Sequence, residues 1–333
     1  MKTLIDSYSR QIRYVRVSVT DRCNLRCRYC MPEGGVDWLD HDSIMHYEEL
    51  LRVITIFASK GVEKIRITGG EPLVRKDLCD FIKYIRRIDS IKDLSLTTNG
   101  VLLPQTAQAL RQAGLDRINI SLDTLDRDKF AYITRVDAFE KVYRGIQCAL
   151  DEYLAPVKIN VVAIKGFNDD EILAFASLTL ETPLEIRFIE LMPMGCAARF
   201  GPLNIIQAQE IRQIIEGRFG RLDPVEYGLG PAKVYRIPGA AGRIGLIDPL
   251  SERSFCSRCN RVRITADGHL RPCLFSKEQI DILGPLRQGI SDHELAALVE
   301  KGVLTKPLSG GICKGRNACV QQSCASQMSE IGG

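Results

Sequence analysis

Over the first 190 residues, short runs rich in β-branched residues alternate with longer stretches in which apolar residues recur at helical spacing. The short runs predict strands over Tyr14 to Val19, Lys64 to Thr68, Leu94 to Thr97, Arg117 to Ser121, Val157 to Ala163 and Glu185 to Glu190. Between them, helices are expected around Glu48 to Lys60, Leu78 to Arg87, Gln105 to Ala113, Phe139 to Tyr153 and Asp169 to Leu180. This gives six βα repeats, the last without its helix, and such alternation requires parallel strands joined by crossover helices. Six strands are two short of a closed eight-stranded barrel, which leaves a partial barrel or a doubly wound sheet.

After Met192 the pattern changes. Gly195, Gly201, Pro202, Gly228, Gly230, Pro231 and Pro238 crowd the chain, and only short strand-like runs remain, at Val234 to Ile237, Arg243 to Ile247 and Arg261 to Ile264. Two helical patterns follow, Lys277 to Arg287 and Asp292 to Lys301, and then a tail rich in Gly, Ser and Cys with no core-forming pattern. The reading is therefore of two parts, a βα core over 1–194 and a C-terminal extension over 195–333.

Composition narrows the class without naming a function. With 45% hydrophobic and 26% charged residues the chain is an ordinary globular one, long enough for a sizeable core. The net charge is 45 − 41 = +4, with no run of five like charges, which argues against a nucleic-acid stripe or a polybasic membrane segment. No stretch nears the roughly 18 apolar residues of a membrane span, and Arg10, Arg13 and Arg16 interrupt the start, so the expectation is a cytoplasmic protein. Twelve cysteines are too few for a secreted disulfide scaffold and too many for a reducing cytosol unless some bind metal or react.

Cys23, Cys27 and Cys30 follow the first strand at C-x3-C-x2-C spacing, which gathers three thiolates on one loop at the carboxyl end of that strand, where barrels build active sites. Three soft ligands suit an iron–sulfur cluster, zinc or Cu(I), and would leave one iron of a four-iron cluster without a protein ligand. Cys256, Cys259 and Cys273 form a second set, C-x2-C-x13-C, and with His269 between them they fit a structural Cys3His zinc site as well. Cys79 and Cys148 fall in helical patterns and read as small buried hydrophobes; Cys196, Cys313, Cys319 and Cys324 show no paired short spacing. No Walker loop or dinucleotide fingerprint is present, because Gly239 to Gly245 has the wrong spacing.

The first triplet followed by Met31-Pro32 resembles the radical S-adenosylmethionine superfamily, and the second triplet resembles its GTP 3′,8-cyclase branch, which serves molybdenum cofactor (molybdopterin) biosynthesis. The likeness runs through Arg16 to Arg22, Arg66 to Pro72, Thr97 to Gly100, Ser121 to Asp123, Glu190 to Pro193, Phe255 to Arg263 and the terminal Gly332-Gly333. It implies a partial (β/α)6 barrel with the extension carrying a second cluster. It also implies two [4Fe-4S] clusters, on Cys23, Cys27 and Cys30 and on Cys256, Cys259 and Cys273. S-Adenosylmethionine would lie against Tyr29, Gly70, Ser121 and Met192, and GTP against Arg16, Arg66, Thr97, Lys158, Arg261 and Arg263. Gly70, with its neighbour Gly69, suits close approach of the backbone to the methionine part.

The reaction implied is removal of the ribose C3′ hydrogen of GTP by a 5′-deoxyadenosyl radical, attack on guanine C8 and reduction to 3′,8-cyclo-7,8-dihydro-GTP, with Arg261, Arg263, Gly332 and Gly333 in catalytic roles. An external electron donor and the cyclic pyranopterin monophosphate synthase that acts next are the implied partners, and the likeness is compatible with a homodimer. The tail departs from the family pattern at Ser326, where an arginine is expected, and the Cys313, Cys319 and Cys324 segment matches nothing in it. Two rival readings use the same residues: a zinc-stabilised α/β binding protein, and a peptide-modifying maturase of the same superfamily. Arg261 and Arg263 beside Cys259, and the diglycine end, weigh against the second.

Overall fold

The computed structural model describes residues 3–225, 230–252, 254–276, 278–309 and Ile331. The barrel strands are β1 (Tyr14–Ser18), β2 (Lys64–Thr68), β3 (Asp93–Thr98), β4 (Arg117–Ser121), β5 (Lys158–Ala163) and β6 (Glu185–Glu190). They alternate with α1 (Tyr47–Ser59), α2 (Leu78–Arg86), α3 (Leu103–Gln112), α4 (Arg127–Thr134), α5 (Phe139–Asp151) and α6 (Ile172–Glu181). The extension adds α7 (Ala208–Phe219), β7 (Asp223–Val225), β8 (Lys233–Arg236), β9 (Arg243–Ile247), β10 (Arg261–Ile264), β11 (His269–Arg271), β12 (Ile280–Asp281), α8 (Leu283–Arg287) and α9 (Asp292–Leu304).

All twelve strands belong to one sheet, in the order β12-β11-β10-β1-β2-β3-β4-β5-β6-β9-β8-β7. From β10 to β9 every pairing is parallel, so the extension lengthens the six-stranded array by one parallel strand at each side. Antiparallel ribbons, β11-β12 and β8-β7, finish the two edges. The sheet thus runs unbroken across the boundary between 194 and 195. No helix among the described residues is long and apolar enough to cross a membrane.

Besides α4, β7 and β11, which the sequence reading did not propose, two elements differ from the sequence expectation. The sixth strand does not lack its helix: α7 follows it, burying Ala208, Ile211 and Ile215. Lys277 to Arg287 does not form one helix either, since β12 and then the short α8 occupy it. Gly284 and Pro285 start a helix readily but do not extend one, and Ile280–Asp281 pair with β11 instead.

Parallel strands covered on both faces ordinarily read as continuous apolar runs. Here they alternate. Val15, Val17, Ile65, Ile67, Leu94, Leu96, Ile118, Ile120, Ile159, Val161, Ile186 and Phe188 pack into the core beneath the helices. The other phase is polar: Tyr14, Arg16, Arg66, Thr97, Ser121, Asn160 and Arg187 point into the barrel, and they line its cavity. The helices therefore supply the hydrophobic core, while the lumen is left for chemistry.

Candidate active site

Both cysteine triplets open onto one cavity of about 340 Å³. Arg16, Tyr29, Arg66, Gly70, Thr97, Ser121, Met192, Arg261 and Arg263 line it together with Cys23, Cys27, Cys30, Cys256, Cys259 and Cys273. Lys158 does not reach its wall. It lies 1% exposed, with its ammonium 3.2 Å from Glu185. Gly332, Gly333, Ser326, Cys313, Cys319 and Cys324 lie outside the described residues. Ile331 is described and is buried against Met194, with Met192, Leu274 and Phe275 packed beside it; those four line the cavity, and Ile331 packs behind them.

The first triplet sits on the loop after β1, pinned by short-range backbone bonds: the Cys30 and Met31 amides donate to the Cys27 carbonyl at 2.9 and 3.0 Å. The Asn99 side chain donates to Cys23 Sγ at 3.8 Å and to Asn24 Oδ1 at 2.7 Å. Asn99 is held in turn by Glu71, a fully buried carboxylate that accepts from Asn99 N, Thr98 Oγ1 and Leu73 N. Burial pushes the Glu71 carboxyl up to about 7 and pushes the Cys23 and Cys27 thiols up. The Tyr29 hydroxyl donates to Asp123 at 2.7 Å, which fixes its ring at the cavity edge.

Gly69 and Gly70 are required by the cysteine loop itself. A Cβ on Gly70 would lie 2.4 Å from the Asp21 carbonyl oxygen and 2.5 Å from that of Arg22; one on Gly69 would lie 2.7 Å from that of Thr20. The close approach expected toward the methionine part is taken in this structure by the chain that carries the thiols.

Register places three arginines side by side on adjacent strands: Arg263 opposite Arg16, and Arg16 opposite Arg66. Neighbouring strands are roughly 5 Å apart, and like charges facing each other across them are destabilising. The guanidinium values record it. Burial, then Arg263, brings Arg16 down to about 9; burial brings Arg66 to about 9; burial, then Arg261, brings Arg263 to about 10. Cations on the cavity wall number six, with Arg187, Arg261 and Lys306 joining these three, against two carboxylates, Asp123 and Glu190. Neither carboxylate is directed to the arginines. Asp123 accepts from Tyr29 and Val162 N, while Glu190 accepts from Ala208 N, Leu250 N and Ser251. Among the described residues of the wall, cations thus outnumber carboxylates, with Arg187 paired to Glu185 behind it.

Polar atoms also wait for partners. Among the described residues Tyr14 Oη, Thr68 Oγ1, Thr97 Oγ1 and Asn160 Oδ1 are buried on this wall without a hydrogen bond. Buried polar groups are nearly always satisfied, so four together on one wall mark a ligand site. Tyr14, Arg187 and Lys306 were not singled out by sequence reasoning. The signal for the first two was available, since both share the inward phase of their strands with Arg16 and Asn160.

The second triplet differs from the first in electrostatics. Burial would raise the Cys259 thiol, but Arg261 and then Lys306 bring it down to about 6, which leaves it a thiolate at neutral pH. His269, the fourth ligand of the zinc alternative, holds Asp267 at 3.0 Å through Nδ1 and does not line the cavity with the three thiols. Among the described residues no three His, Cys, Asp or Glu side chains close on a single metal ion. Two sets of three thiols on one cavity, the first on a single loop and the second on two, are a donor set suited to polynuclear iron–sulfur clusters.

Comparison with known proteins bears on both parts of the chain. Residues 17–179 match the model of the radical SAM superfamily, and residues 184–310 match that of Molybdenum Cofactor Synthesis C. The GTP 3′,8-cyclase of Pelotomaculum thermopropionicum is 48% identical over 98% of this chain and 99% of its own. That of Moorella thermoacetica is 50% identical over 91% of this chain and 93% of its own. Among solved structures, Streptococcus suis SuiB matches with a TM-score of 0.60 at 14% identity over 92% of this chain and 69% of that one. Its complex with S-adenosylmethionine matches at 0.57 and 14%, over 82% of this chain and 64% of that one. At such identity the structural likeness speaks for the fold alone.

Proposed function

Because the chain belongs to the GTP 3′,8-cyclase family, we propose that the electropositive cavity is where it cyclises GTP for molybdenum cofactor biosynthesis. The observation that carries this reading is the row Arg263, Arg16 and Arg66, three like charges held together on the wall of a cavity that also presents six thiols. A triphosphate relieves their repulsion, and charge-assisted contacts to phosphate are the strong ones.

In this reading Cys23, Cys27 and Cys30 hold one [4Fe-4S] cluster and Cys256, Cys259 and Cys273 a second. Bound there with S-adenosylmethionine, the clusters supply the one-electron chemistry that removes the C3′ hydrogen of the ribose and lets that carbon bond to C8 of guanine. The chain's part is placement. Tyr29, Gly70, Ser121 and Met192 shape the S-adenosylmethionine side of the cavity. Arg16, Arg66, Thr97, Arg261 and Arg263 hold GTP on the other, and Lys158 adds charge from beneath. Holding the C3′ hydrogen nearest the reactive centre decides which bond reacts, because a radical takes the hydrogen within reach. Gly332 and Gly333, which lie outside the described residues, keep in this reading the catalytic roles that the family pattern implies. The core over 1–194 thus serves S-adenosylmethionine and shares the GTP side with the extension over 195–333. An external electron donor, a cytoplasmic setting, a homodimer and the synthase that consumes the product belong to the same reading.

The test is anaerobic incubation of the reconstituted chain with GTP, S-adenosylmethionine and dithionite. The expected product is the 3′,8-cyclised nucleotide, formed by a chain holding about eight iron and eight sulfide, four for each cluster. Stoichiometric zinc with about half that iron would refute the second cluster.

A further inference from the structure

Lys306 lies just beyond α9 and is 3% exposed. Its ammonium donates to the Arg261 carbonyl at 2.8 Å and to the Pro272 carbonyl at 2.7 Å. Arg261 is two residues past Cys259, and Pro272 immediately precedes Cys273. One side chain therefore ties together the two arms that deliver two of the three thiols. The third arm is tied to the same segment from behind. Arg10 donates to the Cys256 carbonyl at 2.8 Å, and to the Pro307 and Leu308 carbonyls at 2.6 and 3.1 Å.

The two cations differ in how their charge is met. Arg10 pairs with buried Asp6 at 2.5 Å. Lys306 has two carbonyls and, among the described residues, no carboxylate within ion-pair distance. An ammonium carries three donors, and Lys306 also stands on the cavity wall with the second triplet. A buried charge left with neutral partners is expensive, and one facing an anion is not. A four-iron cluster on three thiolates is a net anion and becomes more so when reduced.

We propose that Lys306 is a positioning residue of the second cluster: it joins the Cys259 and Cys273 arms, and its buried charge raises the reduction potential of the metal centre they hold. The proposal rests on the reading of that triplet as a cluster site. In the one-electron couple concerned, the cluster takes an electron from an added reductant, and no bond forms or breaks. Hydrogen bonds and charges around a cluster are the protein's main means of setting its potential.

The test uses the full chain with Cys23, Cys27 and Cys30 replaced by Ala, so that only the second centre is loaded, followed by potentiometry with dithionite monitored by electron paramagnetic resonance. This parent should hold about four iron and four sulfide; zinc, or no metal, would overturn the cluster reading and the proposal with it. In the same background Lys306→Met should make reduction at least tenfold less favourable, a shift of about 59 mV to lower potential for one electron. Lys306→Arg should restore most of it. A Lys306→Met chain with full iron and an unmoved potential would overturn the role of Lys306 and leave the cluster reading standing. Should Lys306→Met fail to fold, Lys306→Gln, which keeps an uncharged amide for the two carbonyls, is read by the same criterion.

Discussion

Behind the cavity wall that carries Arg16, Arg66 and Arg263 lies a further buried cation, Lys158, whose state is the more telling one. Burial first, and then Arg187, bring the Lys158 amine down to about 6, although Glu185 lies beside it. At pH 8 the free chain therefore carries it largely neutral. A polyphosphate nearby favours the charged form and raises that value, so GTP binding takes up a proton. Affinity for GTP should accordingly fall as the pH climbs above about 6, by up to about tenfold per unit, with Tyr14, drawn down to about 8 on the cavity wall, adding to the fall where it titrates. Calorimetry at about pH 7 in two buffers of different ionisation enthalpy would read the uptake directly, and Lys158→Met should reduce it; an uptake unchanged by Lys158→Met would remove Lys158 from the substrate's field. The residues that announced themselves in the sequence were those in local clusters, the two cysteine sets and the Arg261–Arg263 pair. Tyr14, Arg187 and Lys306 were not visible in the same way, because each gains its meaning from a neighbour far away in the chain. Tyr14 sits between Arg66 and Arg261, which with Arg16 and Lys64 draw its phenol down to about 8 against the opposing effect of burial. No spacing along the sequence expresses such a meeting.

Strands were the legible elements. Lys64–Thr68, Arg117–Ser121 and Glu185–Glu190 fall where the β-branched runs placed them, since the outward phase of each must bury aliphatic side chains under a helix. Helices outside the regular alternation were harder to see. In α7 the recurrence Ile211, Ile214 and Ile215 was a usable signal, but Gly195, Gly201 and Pro202 before it and Gly217 within it suggested irregular chain. In α4 only eight residues form the helix, capped by Asp126 and ended by Arg135 in the left-handed region, too short for a period to stand out. The turn after β2 allows a direct check on how the first triplet is held. Gly70→Ala would drive a methyl into the Asp21 and Arg22 carbonyls, and overpacking of this kind costs typically 1–3 kcal/mol. The loop carrying Cys23 should yield first, so bound iron should fall toward half while GTP binding persists. A Gly70→Ala chain with its full iron and an unchanged melting temperature would show that the loop can move aside without loss.

At the scale of the whole molecule, the fold class could be read from the sequence, whereas the single sheet that runs across the expected boundary at 194 could not. Strand order depends on which edges meet, and β9 and β10 carry no mark of joining opposite sides of the array. The tail belongs to this scale too. Ile331 rests on Met194, a residue of the cavity wall, far from it in sequence. Deleting Gly332 and Gly333 should leave both metal sites and S-adenosylmethionine binding intact yet stop the conversion of GTP, as judged by product analysis; full turnover would make the tail a bystander. The sheet order has one more consequence. Among the described residues no strand pairing joins β9 to β10, so the parallel array has a seam, and the chain crosses it once, on the connection from Ile247 to Arg261. Cys256 and Cys259 ride on that crossing, and Cys273 comes from the far bank. In the reading proposed above, metal bonds among these thiols would act as a clasp across that seam. A chain stripped of that metal would then lose an electron carrier and slacken its hold on the nucleotide in the same event.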